Sequence, residues 1–336
     1  MRISASIYSY KQSKSLEEIV RDLDLLYIDS FHIDSKDSLD VFDDIARIRE
    51  ISKTPIDLHI ISSEPEKYYP YIERYKIDYV QFQFEELHQH PILPPQNGVT
   101  KYGLSLLSDT PIDVFELYKD FDFVLFMATT PGESGGKFNK ANFHRIRKFR
   151  QRYQNKQIRV DGGVNGEVAF ILRNMGVSSV VCGSFLANNP SQGKALLDLR
   201  YNNVESHYLV ADFMLDDGDL PMLNVENTNL IEILEKIEQY RLGFVMFRDS
   251  KGKFAGIASN ADVRRGLLCH KDNIAATSVR DVVNRYPFTV RDTDTIKQML
   301  QKMRRQDFIV SFVPVIDSKS HPVGAVPFFN LIRSEM

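Results

Sequence analysis

Over its first 204 residues the chain alternates short apolar runs of strand length with longer stretches whose apolar positions recur at helical spacing. The apolar runs fall at residues 3–8, 26–34, 56–61, 79–84, 102–106, 123–128, 157–161 and 179–183. The amphipathic stretches fall at 15–25, 39–51, 65–75, 111–118, 140–153, 166–174 and 191–200. Eight strands in strict alternation with helices predict an α/β fold, a (β/α)₈ TIM barrel, whose active site forms at the C-terminal strand ends. The connection over residues 86–98 departs from the pattern, because Pro91, Pro94 and Pro95 are too many for a helix.

Beyond residue 204 the pattern becomes a repeat. Val225-Glu226-Asn227-Thr228-Asn229-Leu230-Ile231 matches Val290-Arg291-Asp292-Thr293-Asp294-Thr295-Ile296, and the run from Phe244 to Lys251 matches the run from Phe312 to Lys319. Each copy, about 60 residues long, predicts a helix, two strands and a closing helix, and the two together form one α+β domain. The expected division is a barrel over 1–204 and a tandem domain over 205–336, with copies at 205–270 and 271–336.

Composition narrows the partners. The 336 residues are 43% hydrophobic, enough for two cores, and carry a formal charge of −3 without a dense Lys/Arg block. That balance gives no footprint for nucleic acid or an anionic membrane surface. No run approaches the roughly 18 apolar residues of a membrane span. Residues 1–6 open directly into a strand pattern, without the apolar core of a signal peptide. Cys182 and Cys269 are too few for a disulfide framework, so a reducing, cytoplasmic setting is expected.

The candidate chemistry collects at strand ends. Residues 28–34 bring His32 and Asp34, which share a face at i and i+2; residues 56–61 bring His59; residues 157–161 bring Asp161. Two imidazoles and two carboxylates at the C-terminal ends of parallel strands make a site for a divalent metal and two acid/base groups. Asp57, two residues before His59, is expected to sit lower in the barrel. Glycine turns follow strands six, seven and eight at residues 131–137, Gly162-Gly163 and Gly183-Ser184. Any one is an ordinary turn; three at one end of a barrel favour a phosphate held by backbone N–H groups. His88 and His90 have no acidic or Cys partner beside them and read as a solvated loop. Residues 145–152 are basic, but Ile146 and Phe149 make the stretch an ordinary amphipathic helix.

In order and near the right spacing, Ser4-Ala5-Ser6-Ile7, His32-Ile33-Asp34, Asp57-Leu58-His59, Pro65-Glu66-Lys67-Tyr68, the segment 127–138, Asp161-Gly162-Gly163-Val164 and Cys182-Gly183-Ser184 resemble the ribulose-phosphate 3-epimerase family. The resemblance implies a divalent metal (Zn, Fe or Mn) held by His32, Asp34, His59 and Asp161, with Asp34 and Asp161 as the catalytic acid/base pair. It also implies a sugar-phosphate substrate contacted by Ser6, Met127, Gly132, Gly135, Gly136, Gly162, Gly163, Gly183 and Ser184. The chain departs from the family pattern after Asp34, where Lys36-Asp37-Ser38 replaces Met-Asp-Gly and Lys36 takes an apolar lid position. Ile61, Gln83 and Glu133 stand where the family has Met, His and Phe. An apolar lid excludes water, so these changes bear on rate and substrate.

The repeat is similar to a tandem CBS module. In its first copy Gly256-Ile257-Ala258-Ser259-Asn260-Ala261-Asp262 matches the family's nucleotide motif, which implies contacts from Ile257, Ser259 and Asp262 to an adenine nucleotide or CMP-sugar effector. In the second copy Pro327 and Asn330 replace the hydroxyl and carboxylate, so one functional site per pair is expected. Residues 212–221 and 262–268 resemble the CBS pair of arabinose-5-phosphate isomerases, enzymes that supply sugars for surface polysaccharide. A homo-oligomer is expected.

Three functions compete. A metal-dependent ketose-phosphate epimerase is favoured by the full ligand set. A non-catalytic barrel sensing sugar phosphate or nucleotide is favoured by the altered lid. An aldolase or decarboxylase would need a Schiff-base lysine, for which Lys36 is the candidate. Solvent deuterium incorporation into ribulose 5-phosphate separates the first from the other two.

Overall fold

A computed structural model describes residues 1–10, 14–94, 98–130, 135–200, 208–303, 305–306 and 310–328. The chain divides into two compact units, Met1–Val204 and Glu205–Arg333.

In the first unit β1 (Arg2–Ser6), β2 (Ser30–Lys36), β3 (Ile56–Ile61), β4 (Tyr79–Gln83), β5 (Lys101–Leu106), β6 (Phe123–Met127), β7 (Gln157–Asp161) and β8 (Ser179–Cys182) close into a barrel in chain order. All neighbours are parallel, and β1 pairs with β8 to complete the ring. The connecting helices are α1 (Leu16–Leu25), α2 (Val41–Ile51), α3 (Tyr69–Arg74), α4 (Ala141–Arg152), α5 (Gly166–Asn174), α6 (Ser184–Ala187) and α7 (Gln192–Arg200). Local chemistry sets their ends: Ser15 caps α1 in a reciprocal capping box with Glu18, and Leu16, Ile19, Val20 and Leu23 form its buried stripe. In α4 the apolar stripe of Phe143, Ile146 and Phe149 is buried against the barrel, with Arg145, Arg147 and Arg150 half-buried beside it and Arg152 exposed.

Several elements differ from the sequence pattern for local reasons. The stretch 65–75 is a 3₁₀ turn, Pro65–Tyr68, running into α3; Pro70 has no N–H to continue one α-helical ladder across the junction. Residues 112–118 are likewise a 3₁₀ helix. Strand β2 starts at Ser30 rather than 26, because the backbone of Tyr27 is left-handed at φ 52° and turns the chain after α1. At its other end β2 runs to Lys36, two residues past Asp34. The proline-rich connection holds only the short 3₁₀ turn Phe84–Glu86 among its described residues.

In the second unit, α8 (Val210–Phe213) and β9 (Leu215–Asp216) lead into β10 (Met222–Asn224), α9 (Leu230–Tyr240), β11 (Phe244–Arg248), β12 (Phe254–Ser259) and α10 (Asn260–Cys269). The chain continues through α11 (Val279–Val282), β13 (Val290–Arg291), α12 (Ile296–Met303), β14 (Phe312–Ile316) and β15 (Pro322–Pro327). A helix, then an antiparallel strand pair, occurs twice; the closing helix expected for the second copy lies outside the described residues. The sheets run β10-β11-β12 and β13-β14-β15-β9, so the leading strand β9 pairs with the second copy rather than the first. Alternate residues of β11 enter different cores. Val245 and Phe247 pack with Ile233, Ile237 and Val263, and Phe244 and Met246 pack with Leu220, Ile257 and Ala325.

Candidate active site

The inner faces of β2, β3 and β7 converge on one cluster. His32, Asp34, His59 and Asp161 each present a ligand atom, and these atoms lie within 4.8 Å of one another. Strand register assembles them: Asp34 lies beside His59 across the β2–β3 pair. His32 Nε2 is 3.3 Å from Asp34 Oδ1 and 3.6 Å from Asp161 Oδ2, and His59 Nδ1 is 3.0 Å from Asp34 Oδ1.

The groups behind the cluster orient both rings. Nδ1 of His32 lies 3.2 Å from Asp57 Oδ2, close enough for attraction though too oblique for a full hydrogen bond. Asp57 is itself fixed by Arg159 and by the Ser4 hydroxyl, which donates to Oδ2 at 2.9 Å. As expected, Asp57 sits deeper than His59: it pairs with His32 in the β2–β3 register, two positions before the Asp34–His59 pair. On the other ring His59 Nε2 donates to Gln83 Oε1 at 2.9 Å, and Nδ1 faces Asp34 Oδ1. His32 and His59 thus offer different ring nitrogens to the same point. Backing groups of this kind fix tautomer and ring direction at metal centres. The chemistry of the donor set, two nitrogens and two carboxylate oxygens, fits a divalent cation.

Electrostatics separates the two candidate acid/base groups. Burial, opposed by His32 and assisted by the charge of Asp34, pushes the Asp161 carboxyl up to about 6. Burial acts on Asp34 in the same direction, but the charge of His32 and hydrogen bonds from both imidazoles override it and hold Asp34 well below the usual range. For His32, burial opposes the charged form, and the charges of Asp34 and Asp57 outweigh it to raise the ring well above its ordinary value.

Above the cluster opens a cavity of about 440 Å³, lined on one side by Asp34, Lys36 and Ile61 and on the other by the glycine turns after β6, β7 and β8. Of the expected substrate contacts, Ser6, Gly135, Gly136, Gly162, Gly163, Gly183 and Ser184 line it. Met127 is buried beside Asp161 in the β6–β7 register and is not among the lining residues. Gly132 and Glu133 lie outside the described residues. The turn after β7 needs both glycines: φ is 107° at Gly162 and 63° at Gly163, and a Cβ there would lie 2.3 Å from Thr129 Oγ1 and 2.1 Å from Phe138 N respectively. Tyr8, Ser9 and Thr130 also line the cavity. Sequence reading missed them because each lies past a strand end, where no periodicity marks direction. The Tyr8 hydroxyl donates to Asp44 Oδ2 at 3.2 Å, and burial with that carboxylate raises its pKa, which keeps it a neutral donor. His90, by contrast, stacks on Tyr118 and pairs with Asp120 outside the site.

Residues 2–187, more than half of the chain, match the model of the Ribulose-phosphate 3 epimerase family. The chain belongs to that family. The ribulose-phosphate 3-epimerase of Bacillus subtilis is 30% identical over 165 residues, covering 46% of this chain and 76% of the relative. The Synechocystis enzyme of the same name is 28% identical over 213 residues, covering 59% and 92%. That of Methanocaldococcus jannaschii is 27% identical over 229 residues, covering 64% and 95%. The chain is therefore an isomerase of the carbohydrate-epimerase class. Residues 279–335 match the model of the CBS domain. This epimerase-family barrel is followed by a CBS pair.

The CBS pair has its own cavity, of about 670 Å³, between the two copies. Ile257, Ser259 and Asp262 line it from the first copy, and Val310, Phe312 and Pro314 from the second. Ser259 caps α10 in a capping box with Asp262, whose Oδ2 accepts from the Ser259 backbone N–H at 2.9 Å and whose Oδ1 pairs with Arg265. The motif therefore has a structural duty in addition to any ligand it holds. Gly256 allows close approach of the segment around Asn284, whose carbonyl accepts from Ile257 N at 2.9 Å. In the second copy Pro327 ends β15 and Asn330 lies outside the described residues.

Proposed function

We propose that the barrel is a metal-dependent epimerase that inverts the hydroxyl-bearing carbon beside the carbonyl of a ketose phosphate, ribulose 5-phosphate/xylulose 5-phosphate or a related sugar phosphate. The observation that carries this reading is the convergence of His32, Asp34, His59 and Asp161 beneath a cavity with three glycine turns on one side. When bound, a divalent cation at those four residues supplies a Lewis acid for the substrate oxygens on C2 and C3. Asp34 and Asp161 come from strands on separate arcs of the ring. One carboxylate takes the C3 proton from one face and the other returns a proton to the opposite face. The backbone N–H groups of the turns after β6, β7 and β8 hold the phosphate, and Ser6, Tyr8 and Ser9 offer hydroxyls to the sugar. Gln83, accepting from His59 Nε2, turns His59 Nδ1 inward, and the Asp57 carboxylate beside His32 Nδ1 leaves His32 Nε2 facing the same point.

The test is transfer of solvent deuterium to C3 of ribulose 5-phosphate by metal-replete protein, with xylulose 5-phosphate as product. Exchange no faster than that of an Asp161→Asn control, for that substrate and for related ketose phosphates, would leave a non-catalytic sensor as the reading.

The CBS cavity, lined from both copies and carrying the Ser259/Asp262 motif, supports an adenine nucleotide or CMP-sugar as effector, with one site per pair. The sequence pattern of residues 212–221 and 262–268, read as resembling the CBS pair of arabinose-5-phosphate isomerases, is what supports a place in the sugar supply for surface polysaccharide. Two free cysteines and no helix long and apolar enough to cross a membrane among the described residues are compatible with a cytoplasmic homo-oligomer.

A further inference from the structure

The inner face of β2 carries a third group beyond His32 and Asp34. His32, Asp34 and Lys36 occupy alternate positions of one strand, which places all three on the face that forms the site. Lys36 lines the same cavity as Asp34. In the β2–β3 register Lys36 lies beside Ile61, one step above Asp34 beside His59, so a lysine and an isoleucine make the next layer toward the mouth. Among the described residues lining the cavity Lys36 is the one cation, and it makes no hydrogen bond or ion pair with any described residue.

The position of this charge sets which part of a substrate it meets. The glycine turns follow β6, β7 and β8, which stand four, three and two strands from β2 by the shorter way around the ring, so the middle turn is separated from β2 by the width of the mouth. A ligand whose phosphate rests in those turns reaches toward β2 with its other end. In a ketose phosphate that end is C1, next to the carbonyl. A neutral hydroxymethyl at C1 gains little from an ammonium group, whereas an anion there gains a charge-assisted contact.

We propose that the substrate carries a second anionic group at C1, remote from its phosphate, and that Lys36 binds it. The proposal rests on the epimerase reading of the barrel and narrows its substrate class to a phosphorylated 2-keto sugar acid or a ketose bisphosphate. The reaction is unchanged: a proton leaves C3 on one face and another arrives on the opposite face, with no net oxidation.

The test uses the metal-replete full chain and three ligands that cannot enolise: ribitol 5-phosphate, ribonate 5-phosphate and ribitol 1,5-bisphosphate. Calorimetric titration of the wild type is expected to show one of the two C1-anionic ligands binding about tenfold more tightly than ribitol 5-phosphate, the size of one charged hydrogen bond. The tighter of the two names the anion. Lys36→Met is expected to abolish the preference and Lys36→Arg to keep it. Equal affinities in the wild type overturn the proposal, as does a preference that survives in Lys36→Met, which would place the anion on another group. Deuterium exchange is then compared between ribulose 5-phosphate and its C1-anionic counterpart, with the higher kcat/KM expected for the latter. If no ketose phosphate exchanges deuterium, the epimerase reading fails, and the binding comparison still decides whether Lys36 selects a C1 anion.

Discussion

Arg159 and Asp57 form a two-point ion pair inside the barrel, Nη1 to Oδ1 at 3.0 Å and Nη2 to Oδ2 at 2.7 Å, one step below Asp34 and His59. The guanidinium lies between the rings of Tyr79 and Phe123, 4.6 and 4.8 Å from their centroids. Removing the cation leaves a buried carboxylate unpaired, so Arg159→Leu is expected to destabilise the barrel by about 3–5 kcal/mol. Urea denaturation followed by circular dichroism measures it, and a change under about 1 kcal/mol would show that the pair is dispensable. The pH dependence has a definite sign. Burial opposes ionisation of Asp57, but Arg159 and His32 override it and hold the carboxyl well below its usual range. Its contribution is therefore present above the unfolded value, about 3.9, and is lost as pH falls through the depressed folded value.

One divalent metal per chain is expected in protein purified without chelator. Elemental analysis checks this, with less than a tenth of an equivalent, and none regained on adding Zn²⁺, Fe²⁺ or Mn²⁺, as the contrary result. His59→Ala should release the metal. A cation that binds only the folded chain stabilises it by about 2.7 kcal/mol at a hundredfold excess over Kd, so a chelator should lower the thermal midpoint of the wild type and leave that of His59→Ala unmoved.

Asp161→Asn preserves shape while removing the proton acceptor, and is expected to slow deuterium exchange by at least about 10². The comparison is made on samples matched for metal content and thermal midpoint. Retention of more than half the activity would remove Asp161 from the acid/base pair.

Gly163→Ala forces a side chain into left-handed backbone and brings its Cβ 2.1 Å from Phe138 N. A loss of more than about 1 kcal/mol is expected. Affinity for inorganic phosphate, read by calorimetry, should fall as the turn opens. An unchanged Kd would place the phosphate elsewhere.

Asp262→Asn keeps the size of the side chain but not the charge that pairs with Arg265 and completes the cap. Adenine nucleotide binding is expected to weaken roughly tenfold or more, the size of one charged hydrogen bond. Affinity that does not change would mean that Asp262 serves only the cap of α10.

The sequence alone determined the architecture and which four side chains, His32, Asp34, His59 and Asp161, meet at the strand ends. Eight apolar runs separated by helical stretches leave little choice but a barrel, and strand alternation puts His32 with Asp34. The internal repeat likewise marked the second unit, because each copy keeps its helix and strand pair in the same order. Tertiary structure decided what depends on register between distant strands. Closing the ring set Arg159 against Asp57, 102 positions apart, and set Gln83 behind His59 so that the two imidazoles use different nitrogens. It also carried β2 past Asp34 to Lys36, turning a charge that reads in sequence as a changed lid residue into a cation facing the cavity. It paired β9 with the second CBS copy and committed Asp262 to a helix cap. Periodicity records which face of an element is buried, whereas a contact across the barrel is fixed only when its neighbours close around it.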